Sequence, residues 1–253
     1  MRMVVQAACG CSIGNVRKNN EDNFFFDAHY LERENAGLNK PVSLEVPLKN
    51  GLHMAVFDGM GGESYGEYAA FAAVRQMYVA RKTLADLFIS RQTYLKELVT
   101  LLNGAVNRVQ EEMHTERIGT TLVSLYFWRH RVYACNVGDS RAYRLRNGEF
   151  LQLSKDHIER RPGSRHHKGV LTQFLGFGTE EMLLNPHIFE GEIQIGDVFL
   201  LCSDGLTDML TDLEISGIMQ KHTNAESCVQ ELLNTALEHG GRDNVTVIVC
   251  RLI

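Results

Sequence analysis

The sequence lacks the features that mark several large classes of protein. Its 253 residues include one tryptophan and four prolines, and no apolar run approaches the length of a membrane-spanning helix. The apolar stretch before Cys9 is too short for the core of a secretory signal. Because there is also no proline-rich linker, internal repeat or low-complexity tract, we expect residues 1–253 to form a single domain.

Positive charge is not in excess either, since the formal net charge is -5. Nucleic-acid-binding proteins usually carry a strong basic excess, so neither DNA nor RNA is an expected partner. The six cysteines include no paired CxxC spacing, which argues against a zinc site or a disulfide framework. Cys135, Cys202 and Cys250 lie in apolar runs typical of buried strands, so reduced thiols in a cytoplasmic, monomeric protein are expected.

What the sequence does contain is a long series of strand-like runs interrupted by two pairs of helices. Residues 3–9, 22–27 and 52–58 indicate strands, whereas 31–50 is polar and irregular in pattern. Two amphipathic stripes then predict helices, and several short strands follow from Ile118. Strands follow strands too often for a doubly wound parallel sheet. The fold class predicted is therefore α+β, with antiparallel sheets covered by helices.

Local signals mark several boundaries in the second half of the chain. Asn147-Gly148 lies between two strand-like runs and predicts a tight hairpin. Thr211 followed by Glu214 has the spacing of a capping box that opens a helix. Asn224 is suited to cap the next helix, and Gly240-Gly241 to end it.

Four aspartates share one local context, close to the end of a strand. Asp58, Asp139 and Asp204 each end an apolar run, and Asp243 precedes the last one. For any single aspartate, a simple turn explains the pattern, because Asp and Gly favour turns. Four such carboxylates at one end of a sheet would repel each other, and a hard divalent cation such as Mg²⁺ or Mn²⁺ is the usual compensation.

Glycines and an arginine add to this interpretation. Gly59 follows Asp58 in the stretch DGMGG, where missing side chains allow the backbone carbonyl of Gly59 to approach an ion. A glycine-rich turn before a helix is the alternative explanation. Arg17 precedes Glu21 and Asp22 in a polar loop. Beside a metal–carboxylate cluster, its guanidinium is suited to bind phosphate through two oxygens.

Six segments, taken in order, resemble the metal-dependent protein phosphatases, also called the PPM or type 2C family. They are VRKNNED, MAVFDGMGG, GTTLVSLYF, ACNVGDSRAY, LLCSDGLTDML and GGRDNVTVIV. The similarity extends from about residue 12 to 251, and the spelling DGMGG resembles the bacterial branch. The resemblance implies a sandwich of two antiparallel sheets with helices on both outer faces. It also implies hydrolysis of phosphoserine and phosphothreonine on proteins, opposing a serine/threonine kinase.

The resemblance further implies roles for individual residues. Asp58 resembles the carboxylate that bridges two Mn²⁺ or Mg²⁺ ions, with the Gly59 carbonyl on one of them. A water between the ions is then the expected nucleophile. The remaining matches are Asp204 and Asp243 at the first ion, Asp22 or Glu21 at the second, Asp139 at a weaker third ion, and Arg17 as the phosphate-binding arginine.

Some positions depart from the family pattern or stay open. Met60 stands where the animal branch has a histidine proposed as general acid, and His157 is a weak replacement that fits a structural loop role better. His166 and His167 also suit a solvated loop. The segment 156–170 is basic through Arg160, Arg161, Arg165 and Lys168. It suggests steering of acidic phosphopeptides, and a solvated loop is the alternative explanation. Alternatives to a protein phosphatase are a small phosphate-ester hydrolase on the same scaffold and a non-catalytic metal-binding regulator.

Overall fold

The computed structural model describes residues 3–48, 51–61, 65–81, 84–115, 118–159, 169–177 and 184–253. Within these ranges the elements alternate much as the sequence predicts, with strands first, helices next and strands again. The strands are β1 Val4–Ser12, β2 Asp22–Phe26, β3 Val42–Pro47, β4 Leu52–Met60, β5 Gly119–Thr120, β6 Leu122–Trp128, β7 Arg131–Val137, β8 Arg141–Arg146, β9 Glu149–Gln152, β10 Ile158–Glu159, β11 Val170–Leu171, β12 His187–Glu192, β13 Val198–Cys202 and β14 Val245–Leu252. The helices are α1 Gly66–Ala80, α2 Leu84–Leu87, α3 Arg91–Glu112, α4 Asp204–Thr207, α5 Asp212–Lys221 and α6 Ala225–Glu238.

Apart from β10 and β11, which pair only with each other, the described strands form two antiparallel sheets that pack face to face. The first has the order β3-β1-β14-β13-β8-β9, and the second has the order β12-β7-β6-β4-β2, with β5 paired to β4. One buried cluster lies between the sheets, a second joins the outer face of the second sheet to α1 and α3, and a third joins the first sheet to α5 and α6. This arrangement confirms the predicted α+β sandwich with helices on both outer faces.

Strand alternation decides which side chains face the space between the sheets. In β4, Met54 and Val56 belong to the cluster between the sheets, whereas Ala55 and Phe57 pack under α1 and α3. Successive side chains of a strand point to opposite faces. Asp58 lies two positions after Val56, so its side chain points to the same face as Met54 and Val56, at the rim of the cluster between the sheets. The apolar residues of β4 therefore pack in the core, and the same strand places the carboxylate of Asp58 at the edge of that core.

The local signals in the sequence are confirmed. Asn147 and Gly148 have φ angles of 51° and 83°, as a type I′ hairpin turn requires, and they join β8 to β9. Thr211 and Glu214 form a complete capping box at the start of α5, and the Asn224 side chain accepts two backbone hydrogen bonds at the start of α6. These boundaries depend on side chains that satisfy backbone groups nearby, which explains why short sequence patterns predict them.

The longest strand absent from the sequence-based prediction is β3. The segment 31–50 was expected to be irregular, but Val42–Pro47 forms β3 and pairs with β1, with Ala7 opposite Leu44. β3 lies at the edge of its sheet, and its side chains are exposed or only partly buried. Its apolar residues Val42, Leu44 and Val46 do alternate with polar ones, and Leu44 and Val46 pack against the cluster between the sheets. Because none of them is fully buried, this alternation is a weaker signal than the apolar runs of the central strands.

The cysteines behave as the sequence predicts. All six are free thiols and buried, including Cys135, Cys202 and Cys250. Cys9 and Cys11 face the cluster between the sheets. Among the described residues, none of the helices is long and apolar enough to cross a membrane.

A buried histidine in the second sheet gives a testable pH dependence. His53 is 4% exposed, its Nδ1 lies 3.3 Å from the Tyr94 hydroxyl, and burial lowers its pKa to about 3. The unfolded chain binds a proton here below pH 6.5, whereas the folded protein does not, so stability falls as pH drops from 6.5 toward 3. At pH 5 the expected loss is about 2 kcal/mol relative to pH 7.

Replacing this histidine separates its contribution from the rest of the acid response. In His53→Gln, the difference in unfolding free energy between pH 7 and pH 5 should shrink by about 2 kcal/mol, measured by urea denaturation with EDTA present. His114→Gln, at an exposed site beyond α3, is the control and should keep the wild-type difference. An unchanged pH response in His53→Gln contradicts the prediction.

Candidate active site

The structure brings together five of the acidic residues singled out in the sequence. Asp22 on β2 stands directly opposite Asp58 on β4 in the strand register. Burial raises the pKa of Asp58 well above its usual value, and the charges of Asp204, Asp22, Asp139 and Asp243 raise it further. Two carboxylates from the second sheet, one from the start of α4 and two from loops next to strands therefore share one region at the rim of the sandwich.

The backbone around Asp58 is fixed by hydroxyl groups from the neighbouring strand. The Asp58 N–H donates to Thr121 Oγ1 at 3.1 Å, and Thr120 Oγ1 donates to the Asp58 carbonyl at 3.0 Å. Thr121 Oγ1 also lies 2.6 Å from the hydroxyl of Ser140, which follows Asp139. The two threonines thus connect the end of β4 to the loop that carries Asp139.

Asp22 is the most deeply buried of these carboxylates, at 2% exposure. Its Oδ2 accepts hydrogen bonds from Ser203 Oγ at 2.8 Å and Thr246 Oγ1 at 2.7 Å, while its Oδ1 is buried without a hydrogen-bond partner. Burial raises the pKa of Asp22 to about 7, the two hydroxyls oppose this rise, and Asp204 and Asp243 add to it. One oxygen is therefore anchored, and the other is left for a ligand.

Glu21 lies next to the backbone of Gly59, where β4 ends and α1 begins. Glu21 Oε1 is 3.4 Å from the N–H of Gly66, and the Gly59 N–H donates to the Glu21 carbonyl at 3.1 Å. A Cβ at Gly59 would stand 2.4 Å from the carbonyl oxygens of both Glu21 and Gly66, so only glycine fits. Burial, followed by the charge of Glu67, raises the pKa of Glu21.

Arg17 lies on the exposed loop before β2 and reaches the acidic region from outside. Its Nη2 is 2.7 Å from Asp243 Oδ2, and its side chain is 49% exposed. The hydrogen bond to Asp243 raises the pKa of Arg17, and the charges of Glu21 and Asp204 contribute. The guanidinium therefore stands at the mouth of the carboxylate region, with room for an anion on its solvent side.

Asn244 holds these pieces in place, and sequence reasoning did not identify it. Its Nδ2 donates to the carbonyls of Ile13 and Asn19, and its Oδ1 accepts the N–H of Glu21 at 2.8 Å. Its own N–H donates to Asp243 Oδ1. One buried amide thus fixes the ends of the Arg17 loop beside Glu21 and Asp243. Its position directly after Asp243 in the segment GGRDN was the available signal.

His157 was considered for proton transfer, and Met60 occupies the position of the histidine in the animal branch. His157 Nδ1 accepts the N–H of Gly138 at 3.1 Å, which places its proton on Nε2, and burial lowers its pKa. It therefore supports the loop carrying Asp139. Met60 is opposite Gly119 in the β4–β5 pair. The sequence-based hypotheses on other loop residues lie outside the described residues: Gly62, Arg160, Arg161, Arg165, His166, His167 and Lys168.

The residues present fit a hard divalent cation by their chemistry. All the donors are oxygens, burial and the neighbouring carboxylates raise the pKa of Asp22 and of Asp58, and Asp22 Oδ1 is a buried acceptor without a partner. Within the described part of the chain, no three His, Cys, Asp or Glu side chains form a closed ligand set as they stand. Asp243 faces Arg17, and Asp22 Oδ2 faces two hydroxyls, so part of the donor set is engaged within the protein.

A helix-flanked β-sandwich with an acidic rim and an arginine at its mouth defines the class of metal-dependent phosphatases. Sequence comparison gives the same answer more specifically, because the model of the protein phosphatase 2C family matches residues 45–244. The chain belongs to the protein phosphatase 2C family.

Individual relatives are similar over nearly the whole chain. The serine/threonine phosphatase stp of Listeria welshimeri is 31% identical, over 93% of this chain and 91% of that protein. The crystal structure of the PstP catalytic domain in complex with two manganese ions is 29% identical, with a TM-score of 0.76 and 99% of each chain covered. PppA, described as a key regulatory component of T6SS in Pseudomonas aeruginosa, is 27% identical with a TM-score of 0.76, over 99% of this chain and 100% of that chain.

Proposed function

We propose that the chain is a Mn²⁺- or Mg²⁺-dependent phosphatase that hydrolyses phosphoserine and phosphothreonine on proteins. The observation that carries the proposal is the gathering of Asp22, Asp58, Asp204 and Asp243 at one rim, with Arg17 beside them. Family membership supports the reaction class. The two manganese ions in the similar PstP catalytic domain support the choice of metal.

We assign the ligands by their positions around the rim. Asp58 is the carboxylate on which Asp204, Asp22, Asp139 and Asp243 all act, so it is proposed as the ligand that two ions would share, with Asp204 and Asp243 on the first. Glu21 lies beside the Gly59 backbone, so its carboxylate and the Gly59 carbonyl are proposed for the second. Two further acidic groups are assigned less direct roles: Asp22 would offer its Oδ1 to the ions, and Asp139 would hold a third ion.

In the proposed reaction, the chain's own residues orient the phosphoryl group of the substrate. Two divalent ions, when bound, supply a water of lowered pKa and offset negative charge on the phosphoryl group. Arg17 is proposed to bind two phosphoryl oxygens from the solvent side and so to align phosphorus for in-line displacement. The thioether of Met60 has no acidic proton, so it gives none to the leaving seryl or threonyl oxygen.

The biological setting is also a proposal. We infer that the protein acts as a cytoplasmic monomer on a serine/threonine kinase or on that kinase's targets. No helix in the described ranges could cross a membrane, which fits this setting. The similarity to named serine/threonine phosphatases supports phosphoproteins as the substrate class.

Chelation and rescue on a phosphothreonine peptide tests the function. Release of phosphate should stop in EDTA and return when excess Mn²⁺ is added, because the carboxylates alone repel both phosphate and each other. A serine-phosphorylated peptide and a nucleoside monophosphate, assayed in parallel, separate a protein phosphatase from a small-ester hydrolase. Activity that persists in EDTA, or that is confined to the small ester, contradicts the proposal.

A further inference from the structure

Asp22 connects the two sheets of the sandwich at the rim. Asp22 belongs to β2 in the second sheet. Its two partners belong to the first sheet: Ser203 directly follows β13, and Thr246 lies in β14. Ser203 directly precedes Asp204, and Thr246 lies three positions after Asp243. The two hydrogen bonds therefore join the sheet that carries Asp58 to the segments that carry the other two proposed ligands of the first ion.

Strand alternation explains why these side chains meet. Their neighbours two and four positions along each strand face the cluster between the sheets, so Asp22, Ser203 and Thr246 face it as well. Those neighbours are Phe24 and Phe26 on β2, Leu201 and Phe199 on β13, and Ile248 and Cys250 on β14. Asp22, Ser203 and Thr246 are thus a polar end to an otherwise apolar layer, with exposures of 2%, 0% and 0%.

The hydrogen positions follow from the contacts. Ser203 Oγ accepts the Thr246 N–H at 2.9 Å, so its own proton is available for Asp22 Oδ2. Thr246 Oγ1 has one proton and lies 2.7 Å from Asp22 Oδ2 and 3.1 Å from Cys11 Sγ. A carboxylate oxygen is a stronger acceptor than a thiol sulfur, so the Thr246 hydroxyl donates to Asp22 Oδ2.

From this geometry we propose that Ser203 and Thr246 are positioning residues for the metal centre. Their two hydrogen bonds to Asp22 Oδ2, which we call the clasp, join the sheets and set the spacing of Asp58 from Asp204 and Asp243. They also leave Asp22 Oδ1 as the one oxygen of this carboxylate available to the ions. The proposal rests on the metal dependence proposed above, but it concerns ion affinity and does not depend on the identity of the substrate.

Removing the hydroxyls one at a time tests the clasp. Thr246→Val keeps the shape of the side chain, and Ser203→Ala removes only the oxygen. The Kd for Mn²⁺, measured by calorimetry on the substrate-free protein, should rise about tenfold to a hundredfold in each, as for other groups that orient metal ligands. Thr246→Ser keeps the hydroxyl donor, so its Kd for Mn²⁺ should stay close to the wild-type value.

Matched controls separate this effect from a general loss of packing. Thr235→Val and Ser216→Ala remove hydroxyls that bond to backbone carbonyls within α6 and α5, the helices that cover the outer face of the first sheet. Both should keep the wild-type Kd for Mn²⁺. Thermal unfolding in EDTA identifies any variant that fails to fold, and Ser203→Ala decides the question where Thr246→Val does not fold.

The outcomes are distinct for the clasp and for the proposed function. A Kd within twofold of wild type in folded Thr246→Val and Ser203→Ala overturns the clasp, as does a wild-type protein that binds no Mn²⁺. A wild-type protein that binds Mn²⁺ without hydrolysing a phosphothreonine peptide contradicts the function. In that case the Kd comparison still decides the clasp.

Discussion

Asp58→Asn is expected to remove Mn²⁺-dependent hydrolysis of p-nitrophenyl phosphate, with a loss of at least about 10³-fold in kcat. The amide keeps the shape of the side chain but cannot supply the negative charge that a bridging position needs. Asp58 is also the residue on which four other carboxylates act, so no neighbour replaces it without moving. The measurement is kcat at saturating Mn²⁺.

The same substitution should have the opposite effect on the metal-free protein. Burial and like charges raise the pKa of Asp58, so its ionised form costs the folded state free energy at neutral pH. Asp58→Asn should therefore unfold at a higher temperature than wild type in EDTA, yet gain much less stability when Mn²⁺ is added. Loss of activity alone would also follow from misfolding, whereas this pair of opposite shifts would not.

The control for Asp58→Asn lies at the opposite end of the strand facing it. Asp27 follows β2, is exposed and has a φ of 47°, a conformation that asparagine also tolerates. Asp27→Asn should keep kcat and the stabilisation by Mn²⁺. An Asp58→Asn protein that retains more than a tenth of wild-type kcat contradicts the assignment of Asp58 as a bridging ligand.

Much of the fold could be predicted because its signals are local. The Asn147-Gly148 turn and the Thr211–Glu214 capping box each depend on a few neighbouring residues, and the structure contains both. The edge strand Val42–Pro47 has a weaker local signal, because its alternating residues Val42, Leu44 and Val46 are exposed or only partly buried. It forms by backbone pairing with β1, and that partner is distant in the sequence.

In the candidate site, too, residues with a local sequence signal could be predicted, whereas residues whose role depends on distant partners could not. The strand-end position of Asp58 marks it in the sequence, because an apolar run followed by Asp-Gly is a visible pattern. Ser203 and Thr246 carry no such mark, since their role depends on a carboxylate about 180 and 220 residues away that only the sandwich brings near. Asn244 was missed for the same reason: three of its four contacts are with residues more than 220 positions away.

The pairing of Arg17 with Asp243 also lies beyond sequence patterns, and it gives the second large prediction. Arg17→Ala should lower kcat/KM on a phosphothreonine peptide by about 10²- to 10³-fold, the usual effect of removing one preorganised donor to a charged transition state. Inhibition by inorganic phosphate should weaken in parallel. The affinity for Mn²⁺ should stay the same or tighten, because Asp243 is freed from the guanidinium that now binds its Oδ2.

The direction of the change in Mn²⁺ affinity distinguishes a phosphate-binding residue from one that supports the metal ligands. Arg17→Lys keeps the charge but loses the planar pair of donors, so its kcat/KM should lie between those of wild type and Arg17→Ala. Arg33→Ala, which removes a partly exposed arginine paired with Glu34 on another loop, is the control and should resemble wild type. If Arg17→Ala instead weakens Mn²⁺ binding and leaves phosphate inhibition unchanged, then Arg17 holds Asp243 in place and another group must bind the phosphate.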